Sequence, residues 1–286
     1  MKIHGIDVSE FQGNIDFKKV KNSGIEFVMV RAGYDYVNGD DKYWEQNVYN
    51  ANKYGLHVGA YWFMYFVNET EAKNCADKFI RMLNKFKGKI DYPVALDVEE
   101  DTYKYMKSVG VNPTKEVVTN LVNIFCDRVE KAGYYTMIYS NYNGFNNYMG
   151  NVSRFDKWLA YLGNAEITYD DCGIWQHSFS GKVGGIRDDV DLDISFVEYD
   201  KIIRSAGLNK LTDEIKDDKP IEDDNKNNIK VGDIVRVTNP IIYGTNKKFT
   251  LWYENYIVME VVGDRAVIGK GGSVTAPIDV KYLRKV

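Results

Sequence analysis

Two acidic side chains, Asp97 and Glu99, lie two residues apart at the end of an apolar stretch over residues 92–98. Side chains at positions i and i+2 of a β-strand point to the same side, so both carboxyl groups would project together. Desolvation and mutual repulsion can keep one of two neighbouring acids protonated while the other stays charged. Hydrolysis of a glycosidic bond requires such a pair. The spacing therefore favours a glycosidase, although it also occurs at solvated strand ends.

Two further acids could join this pair. Asp7 lies near the end of the first predicted strand and Asp191 lies in the last one. The carboxyl ends of the strands of a parallel barrel meet at one rim, so the four acids could converge there. Each also has a purely structural interpretation, Asp7 as the cap of a turn and Asp191 as a turn acid within residues 188–193. Repulsion among gathered acids is tolerated mainly where it serves proton transfer or holds a polar ligand, which favours catalysis.

Short apolar runs recur along the first two thirds of the chain and predict eight strands. These predicted strands cover residues 3–8, 27–32, 57–63, 94–98, 136–139, 158–161, 174–176 and 190–194. Amphipathic helical patterns over residues 69–83 and 113–132 separate the earlier strands, and a helix over residues 195–206 follows the last. The later strands have little helix between them. This order predicts an α/β fold, a mainly parallel, TIM-like barrel with degenerate helices in its last third.

The composition predicts a large domain and a small one. The chain has 286 residues, of which 44% are apolar, enough to fill a sizeable core. Residues 209–228 are polar and charged and contain a proline, as is typical of a linker. The predicted domains are therefore 1–208, with a net charge of −5, and 229–286, with a net charge of +4. The linker between them has a net charge of −3. The basic domain fits contact with a polyanion and equally fits ordinary solubility charge.

Several classes of site are disfavoured. The three cysteines and three histidines are scattered along the chain without Cys-x-x-Cys spacing, so we expect no disulfide framework, no metal site and no cofactor. No segment resembles a signal peptide or a membrane span, and we expect a protein that is made in the cytoplasm and is not inserted in a membrane. Nucleic-acid binding is disfavoured, because the large domain is acidic and the basic residues of the small one form no stripe.

The last 58 residues predict a small all-β domain. Alternating strands over residues 231–237, 256–262 and 265–269 are split by Gly-Asp turns, and no helix is evident. Four aromatic residues could form a groove for a peptide or a glycan, or two of them could simply fill a small barrel. These residues are Tyr243, Trp252, Tyr253 and Tyr256.

Nine short motifs, in order, closely resemble glycoside hydrolase family 25, the lysozymes of the Chalaropsis type that occur in many phage endolysins and bacterial autolysins. The resemblance covers about the first 207 residues. The motifs are GIDVS at 5–9, FQG at 11–13, FVMVRA at 27–32, GAYWF at 59–63, LDVE at 96–99, IYSN at 138–141, WLA at 158–160, IWQ at 174–176 and VDLD at 190–193.

This resemblance implies an irregular barrel of five β/α units followed by strands with few helices. It also implies cleavage of the β-1,4 bond between N-acetylmuramic acid and N-acetylglucosamine in peptidoglycan. By position, Glu99 corresponds to the general acid/base and Asp97 to the second carboxylate, with Asp7 and Asp191 completing the cleft. The scheme favoured for the family is substrate-assisted: the 2-acetamido oxygen attacks the anomeric carbon, and Asp97 stabilises the oxazolinium ion that forms.

The same resemblance suggests the sugar contacts and the role of the small domain. Tyr61 and Tyr139 lie where the family places cleft aromatics, and Arg31, Trp158 and Gln176 are expected to contact saccharide. In a chain with 22 tyrosines, a given one is more often a core or rim aromatic than a platform for a sugar ring. The C-terminal residues resemble, more loosely, the bacterial SH3-like domains that bind a Gram-positive cell-wall polymer.

The expected protein is thus a modular peptidoglycan hydrolase, a phage endolysin that reaches the cell wall after the membrane is permeabilised. A bacterial autolysin of the same activity is one alternative. A glycosidase of related fold that acts on chitin-like polymers is a second. A non-catalytic wall-binding protein that kept the fold is a third, although four intact acids would be unexpected in it.

Overall fold

The computed structural model describes residues 2–211, 229–245, 247–270 and 273–285. The chain divides into two compact units, Met1–Glu214 and Ile215–Val286. Most of the predicted linker, residues 212–228, lies outside the described residues. Asn209 and Leu211, which the sequence analysis placed in the linker, are buried in the first unit. The predicted boundaries at 208 and 229 otherwise stay a prediction.

The first unit is a closed barrel of eight strands with helices outside it, which confirms the predicted α/β barrel. The strands are β1 (Ile3–Val8), β2 (Phe27–Gly33), β3 (His57–Phe63), β4 (Val94–Asp97), β5 (Thr136–Asn141), β6 (Asp156–Ala160), β7 (Ile174–Gly181) and β8 (Val190–Ser195). The helices are α1 (Phe17–Asn22), α2 (Trp44–Lys53), α3 (Glu69–Asn84), α4 (Glu100–Ser108), α5 (Lys115–Lys131) and α6 (Tyr199–Ser205). Between β5 and β8 the described helical structure is one π-helical turn, Gly144–Tyr148.

The last strand runs against the others, which the mainly parallel prediction did not foresee. Strands β1 to β7 pair in parallel, whereas β8 is antiparallel to both β7 and β1. The connection from β7 to β8 is too short for the crossover that a parallel strand requires. Asp191, near the start of β8, therefore lies opposite Asp7, near the end of β1. In an all-parallel barrel, the start of β8 would lie at the opposite rim.

Alternation along the strands divides the apolar residues into two layers. Inward-facing residues such as Phe27, Met29, Met137 and Trp158 fill the barrel, and their neighbours in sequence pack against the helices. Because both faces of these strands are buried, their sequences are the continuous apolar runs noted above. Gly5 leaves room for the Phe27 ring, because a Cβ at position 5 would lie 2.3 Å from it.

The end of the barrel opposite the carboxyl ends of β1 to β7 is closed by polar contacts of the segment after α6. Asn209 Nδ2 donates a hydrogen bond to the Tyr92 carbonyl at 2.8 Å, and Asn209 Oδ1 accepts one from the Tyr135 backbone at 2.7 Å. Asn209 has a φ of 54°, the left-handed region that asparagine tolerates better than most residues. Tyr199 of α6 and Tyr135 both donate to Asp156 Oδ2.

The cysteines of the first unit are free and buried. Burial raises the pKa of Cys75 and of Cys172 to about 12, and it raises the pKa of Cys126 well above its usual value. All three thiols therefore stay protonated at neutral pH.

The second unit is a five-stranded antiparallel sheet in the order β12-β11-β10-β9-β13. Its strands are β9 (Ile234–Val237), β10 (Tyr256–Val262), β11 (Arg265–Lys270), β12 (Ser273–Asp279) and β13 (Leu283–Lys285). Tyr256 belongs to the core, where its hydroxyl accepts hydrogen bonds from the backbones of Trp252 and Tyr253. Trp252, Tyr253 and Tyr243 are exposed. Of the four aromatics considered for a groove, three therefore remain accessible.

Candidate active site

The structure brings all nine site residues predicted from the sequence to one cleft at the carboxyl ends of β1 to β7. The cleft has a volume of about 650 Å³. Its lining includes the four acids, Asp7, Asp97, Glu99 and Asp191, together with Arg31, Tyr61, Tyr139, Trp158 and Gln176.

Asp97 and Glu99 reach the cleft from different elements. Asp97 is the last residue of β4, whereas Glu99 is the residue before the first turn of α4. The backbone of Glu99 is still extended, so the i and i+2 geometry predicted from the sequence persists beyond the strand. The Val98 N–H donates to the Tyr139 carbonyl at 3.0 Å, and the Glu99 N–H donates to Thr102 Oγ1 at 3.3 Å. These two bonds fix the segment that carries both acids.

The surroundings of Glu99 raise the pKa of its carboxyl group. Partial burial is the main cause that raises its pKa, and the charges of Asp101 and Asp191 raise it further. The charge of Lys104 acts in the opposite direction. A carboxyl group with a raised pKa is the form that a general acid needs near neutral pH.

Asp97 lies deeper in the cleft. Burial raises its pKa well above the usual value, and the charges of Glu99 and Asp191 add to this, while Arg31 lowers it. Its Oδ1 is buried and accepts no hydrogen bond from the described residues. An unpartnered buried acceptor costs free energy.

Gln176 links the other two acids. Its Nε2 donates to Asp7 Oδ2 at 2.7 Å and to Asp191 Oδ2 at 3.3 Å. Its Oε1 accepts from the Tyr139 hydroxyl at 2.7 Å. Burial raises the pKa of Asp191 to about 6, and burial together with the charges of Asp193 and Asp191 raises that of Asp7 well above its usual value. The Gln176 amide, predicted to contact sugar, thus bonds the two acids and Tyr139.

Arg31, also predicted to contact saccharide, is held by acids at the edge of the cleft. Its Nε donates to buried Asp41 at 2.9 Å and its Nη2 to Glu10 at 3.0 Å. The guanidinium lies 5.0 Å from the centre of the Phe11 ring. Phe11 is 75% exposed and lines the cleft, although no sequence pattern predicted a role for it.

Trp158 forms part of the cleft floor. It is 1% exposed, and its ring meets Tyr61 and Tyr139 edge-on at centroid distances of 5.7 and 4.7 Å. Burial is the main cause that raises the pKa of both tyrosines, so their hydroxyls stay protonated. The indole Nε1 donates to Asp193 at 2.8 Å. Asp193 was missed as a site residue, although it repeats the i and i+2 spacing after Asp191.

A second cleft of about 420 Å³ adjoins the first. Glu99, Tyr139 and Phe179 line both, so the two form one groove that passes Glu99. The lining of the second cleft includes polar Asn141 and Asn143, the edge-on pair Tyr142 and Tyr161, and exposed Leu162. Aromatic faces and amides are suited to the apolar faces and polar edges of sugar rings.

Among the described residues, no group of three or more His, Cys, Asp or Glu side chains is arranged to hold a metal ion. No described helix is long and apolar enough to cross a membrane.

Comparisons with known proteins agree with this geometry. The model of Glycosyl hydrolases family 25 matches residues 6–186. The autolytic lysozyme of Clostridium acetobutylicum is 28% identical over 193 residues, which are 66% of this chain and 54% of that protein. This chain thus spans about half the length of that relative.

Two solved structures show the same likeness. The modular autolysin LytC from Streptococcus pneumoniae has a TM-score of 0.61 and 28% identity, over 68% of this chain and 46% of LytC. A family 25 glycosyl hydrolase from Bacillus anthracis has a TM-score of 0.59 and 26% identity, over 70% of this chain and 92% of the other. Since the family model covers more than half of the chain and ends in the barrel that holds the cleft, the chain belongs to glycosyl hydrolase family 25.

Proposed function

We propose that this protein hydrolyses the β-1,4 bond between N-acetylmuramic acid and N-acetylglucosamine in peptidoglycan. The observation that carries the proposal is Glu99, an acid with a raised pKa, beside a buried Asp97 in a groove with room on both sides of Glu99. Membership of family 25 and the likeness to a protein named as an autolytic lysozyme support it.

The first step is proton transfer. Glu99 donates its proton to the glycosidic oxygen, and the 2-acetamido oxygen of the N-acetylmuramic acid attacks its anomeric carbon as the bond to the leaving sugar breaks. The acetamido N–H donates to the carboxylate of Asp97, whose negative charge stabilises the oxazolinium ion. Water then adds to the anomeric carbon as its bond to the acetamido oxygen breaks and the acetamide is restored, and Glu99 takes up the proton of that water.

The other residues of the cleft hold the reacting groups in place. Gln176 fixes Asp7 and Asp191, and Tyr139 fixes Gln176. The second cleft lies beyond the proton donor, so we place the leaving sugar there and the sugar that forms the oxazolinium ion in the first cleft.

The decisive experiment compares Glu99→Gln with Glu100→Gln. The first change removes the proton donor and keeps the shape, so cleavage should fall by at least about 10²-fold. The second removes an exposed charge from the adjacent position and should leave cleavage within about threefold of the wild type. Mass spectrometry of fragments released from purified peptidoglycan measures both.

The sugar at the reducing end of the released fragments identifies the bond that is cleaved. Fragments that end in reducing N-acetylmuramic acid, made by the wild type and not by Glu99→Gln, establish a muramidase. Reducing N-acetylglucosamine ends would indicate a glucosaminidase. Release of fragments by Glu99→Gln at the wild-type rate would reject Glu99 as the acid.

We further propose that the C-terminal unit is an SH3-like domain that binds a Gram-positive cell-wall polymer. Its small antiparallel sheet, the net charge of +4 over residues 229–286 and its exposed Trp252, Tyr253 and Tyr243 support this. Exposed aromatics and basic side chains suit an anionic glycan polymer. Binding to the wall would keep the barrel close to an insoluble substrate.

The proposed biological role is that of a phage endolysin, made in the host cytoplasm and admitted to the wall when the membrane is permeabilised. A barrel joined to a small wall-binding unit fits this role. The alternative is a bacterial autolysin, which the likeness to the autolytic lysozyme favours. Expression in a Gram-positive host separates the two: an endolysin lyses the cells only after the membrane is permeabilised, whereas an autolysin appears outside intact cells.

A further inference from the structure

The steps proposed for hydrolysis do not use Asp193, a fifth acid that lies beneath the cleft. Its side chain is 1% exposed, and its Cα lies opposite Gly5 of β1 and Gln176 of β7. Asp7 lies two residues after Gly5, so Asp7 and Asp193 are diagonal neighbours on the inner face of the antiparallel pair. Diagonal side chains on one face of such a pair are close enough to interact.

The hydrogen bonds of Asp193 are incomplete without a proton. Its Oδ1 accepts from Trp158 Nε1 at 2.8 Å. Its Oδ2 is buried and meets no N–H or O–H donor of the described residues. Asp7 is the diagonal neighbour of Asp193, and Asp7 Oδ2 is already bonded to Gln176. Two carboxyl groups can bond to each other only if one of them carries a proton.

Burial and the neighbouring charges favour a protonated carboxyl group in the pair Asp7 and Asp193. Burial is the main cause that raises the pKa of Asp7 and takes that of Asp193 to about 8. The acids that face the pair are Asp191 on β8 and Asp97 on β4. The cation of the cleft, Arg31 on β2, is bonded to Asp41 and Glu10. Two adjacent buried carboxylates would repel strongly in this low dielectric.

We propose that Asp193 is a positioning residue that shares one proton with Asp7. The shared proton fixes the Asp7 carboxyl between Asp193 and Gln176 and keeps one negative charge out of the cleft floor. Its catalytic consequence rests on the proposed function: with less repulsion from below, Asp97 can carry the charge that stabilises the oxazolinium ion.

The variant Asp193→Asn tests whether Asp193 and Asp7 share a proton. The asparagine keeps an oxygen for the Trp158 indole and donates an N–H to Asp7 in place of the shared proton. An acid whose pKa is raised in the folded state gives stability at low pH that is lost as pH rises towards the folded pKa, here from about 4 to about 8. Asparagine does not titrate, so the thermal midpoint of the variant relative to the wild type should rise by at least about 3 °C between about pH 5 and about pH 8.

A difference in thermal midpoint that stays constant over this range would overturn the proposal. The measurement needs no turnover, so it tests the shared proton even if the protein proves not to be a muramidase.

The positioning role is tested by kcat and KM on soluble peptidoglycan fragments near pH 6. Asp193→Asn should keep kcat within about threefold of the wild type. Asp193→Leu, which cannot bond Trp158 or hold the proton, should lose at least about tenfold in kcat with little change in KM. A folded Asp193→Leu protein with wild-type kcat would overturn the positioning role. If that variant does not fold, the pH dependence of the thermal midpoint of Asp193→Asn decides alone.

Discussion

Five acidic side chains are crowded in the cleft and beneath it. Asp7, Asp97, Glu99, Asp191 and Asp193 all have raised pKa values, and burial is the leading cause in each case. Desolvation and mutual repulsion both oppose ionisation, so several of these groups hold protons at pH values where exposed acids have lost them. A proton donor and a charged stabiliser can therefore coexist within one groove.

The pH dependence of hydrolysis should follow the charges near Glu99. Asp101 raises the pKa of Glu99 and Lys104 lowers it. Asp101→Asn should therefore lower that pKa and move the alkaline limb of kcat to lower pH, because the acid loses its proton sooner. Lys104→Gln should move the limb to higher pH. Both groups are exposed and bonded to each other at 3.0 Å, so we expect shifts of roughly 0.2–0.5 pH unit.

Rate profiles of the wild type and the two variants on soluble peptidoglycan fragments provide the measurement. Shifts in the same direction, or none, would show that a group other than Glu99 sets the alkaline limb.

Spacing along the chain predicted some residues of the cleft and missed others. Asp97 and Glu99 follow from the i and i+2 rule, which needs only an extended backbone. The bonds of Gln176 to Asp7 and Asp191 join residues up to 169 positions apart, and no local pattern encodes such contacts. Arg31 and Trp158 were expected to contact sugar, but the bonds of their polar atoms to Asp41, Glu10 and Asp193 depend on barrel closure.

At the scale of elements, the direction of β8 decides the composition of the cleft. Periodicity predicted the existence of eight strands, because apolar runs of this length stand out in the sequence. Strand direction depends instead on how the connections close, and no residue pattern in 190–194 specifies it. The antiparallel pairing of β8 with β1 places Asp191 opposite Asp7 and brings Asp193 beneath them.

The segment after α6 should matter to the stability of the barrel, because Asn209 bonds to residues near the starts of β4 and β5. Asn209→Ala loses both hydrogen bonds. Alanine also lacks the polar side chain that lets asparagine tolerate the left-handed backbone conformation. The free energy of unfolding should therefore fall by about 2–4 kcal/mol. Asn209→Gly loses the bonds and keeps the backbone freedom, so its loss should be about 1 kcal/mol smaller.

Urea unfolding of the full-length variants measures these losses. An unchanged midpoint for Asn209→Ala would mean that the segment contributes nothing to the barrel and belongs to the linker, as the sequence pattern had indicated.

At the scale of the whole molecule, net charge is divided between the two ends of the chain. The first 208 residues carry −5 and the last 58 carry +4. The composition predicted this division, since it needs no three-dimensional information. The identity of the exposed aromatics needed the structure, because Tyr256 turned inward while Trp252 stayed 72% exposed.

Binding to the wall should therefore depend on Trp252. In co-sedimentation with purified Gram-positive walls, Trp252→Ala should weaken binding by at least about tenfold, as expected for an exposed aromatic anchor. Val274→Ala shortens another exposed apolar side chain of the same unit and should bind within about twofold of the wild type. Cleavage of short soluble fragments should be unchanged in both. Equal wall binding by Trp252→Ala and the wild type would remove Trp252 from the proposed surface.

The three cysteines bear on where such a molecule can work. Their thiols are covered by the fold and hold their protons, so neither the reactive thiolate nor access for an oxidant is available while the barrel is folded. The folded barrel can thus pass from a reducing compartment to an oxidising one with these three thiols unchanged.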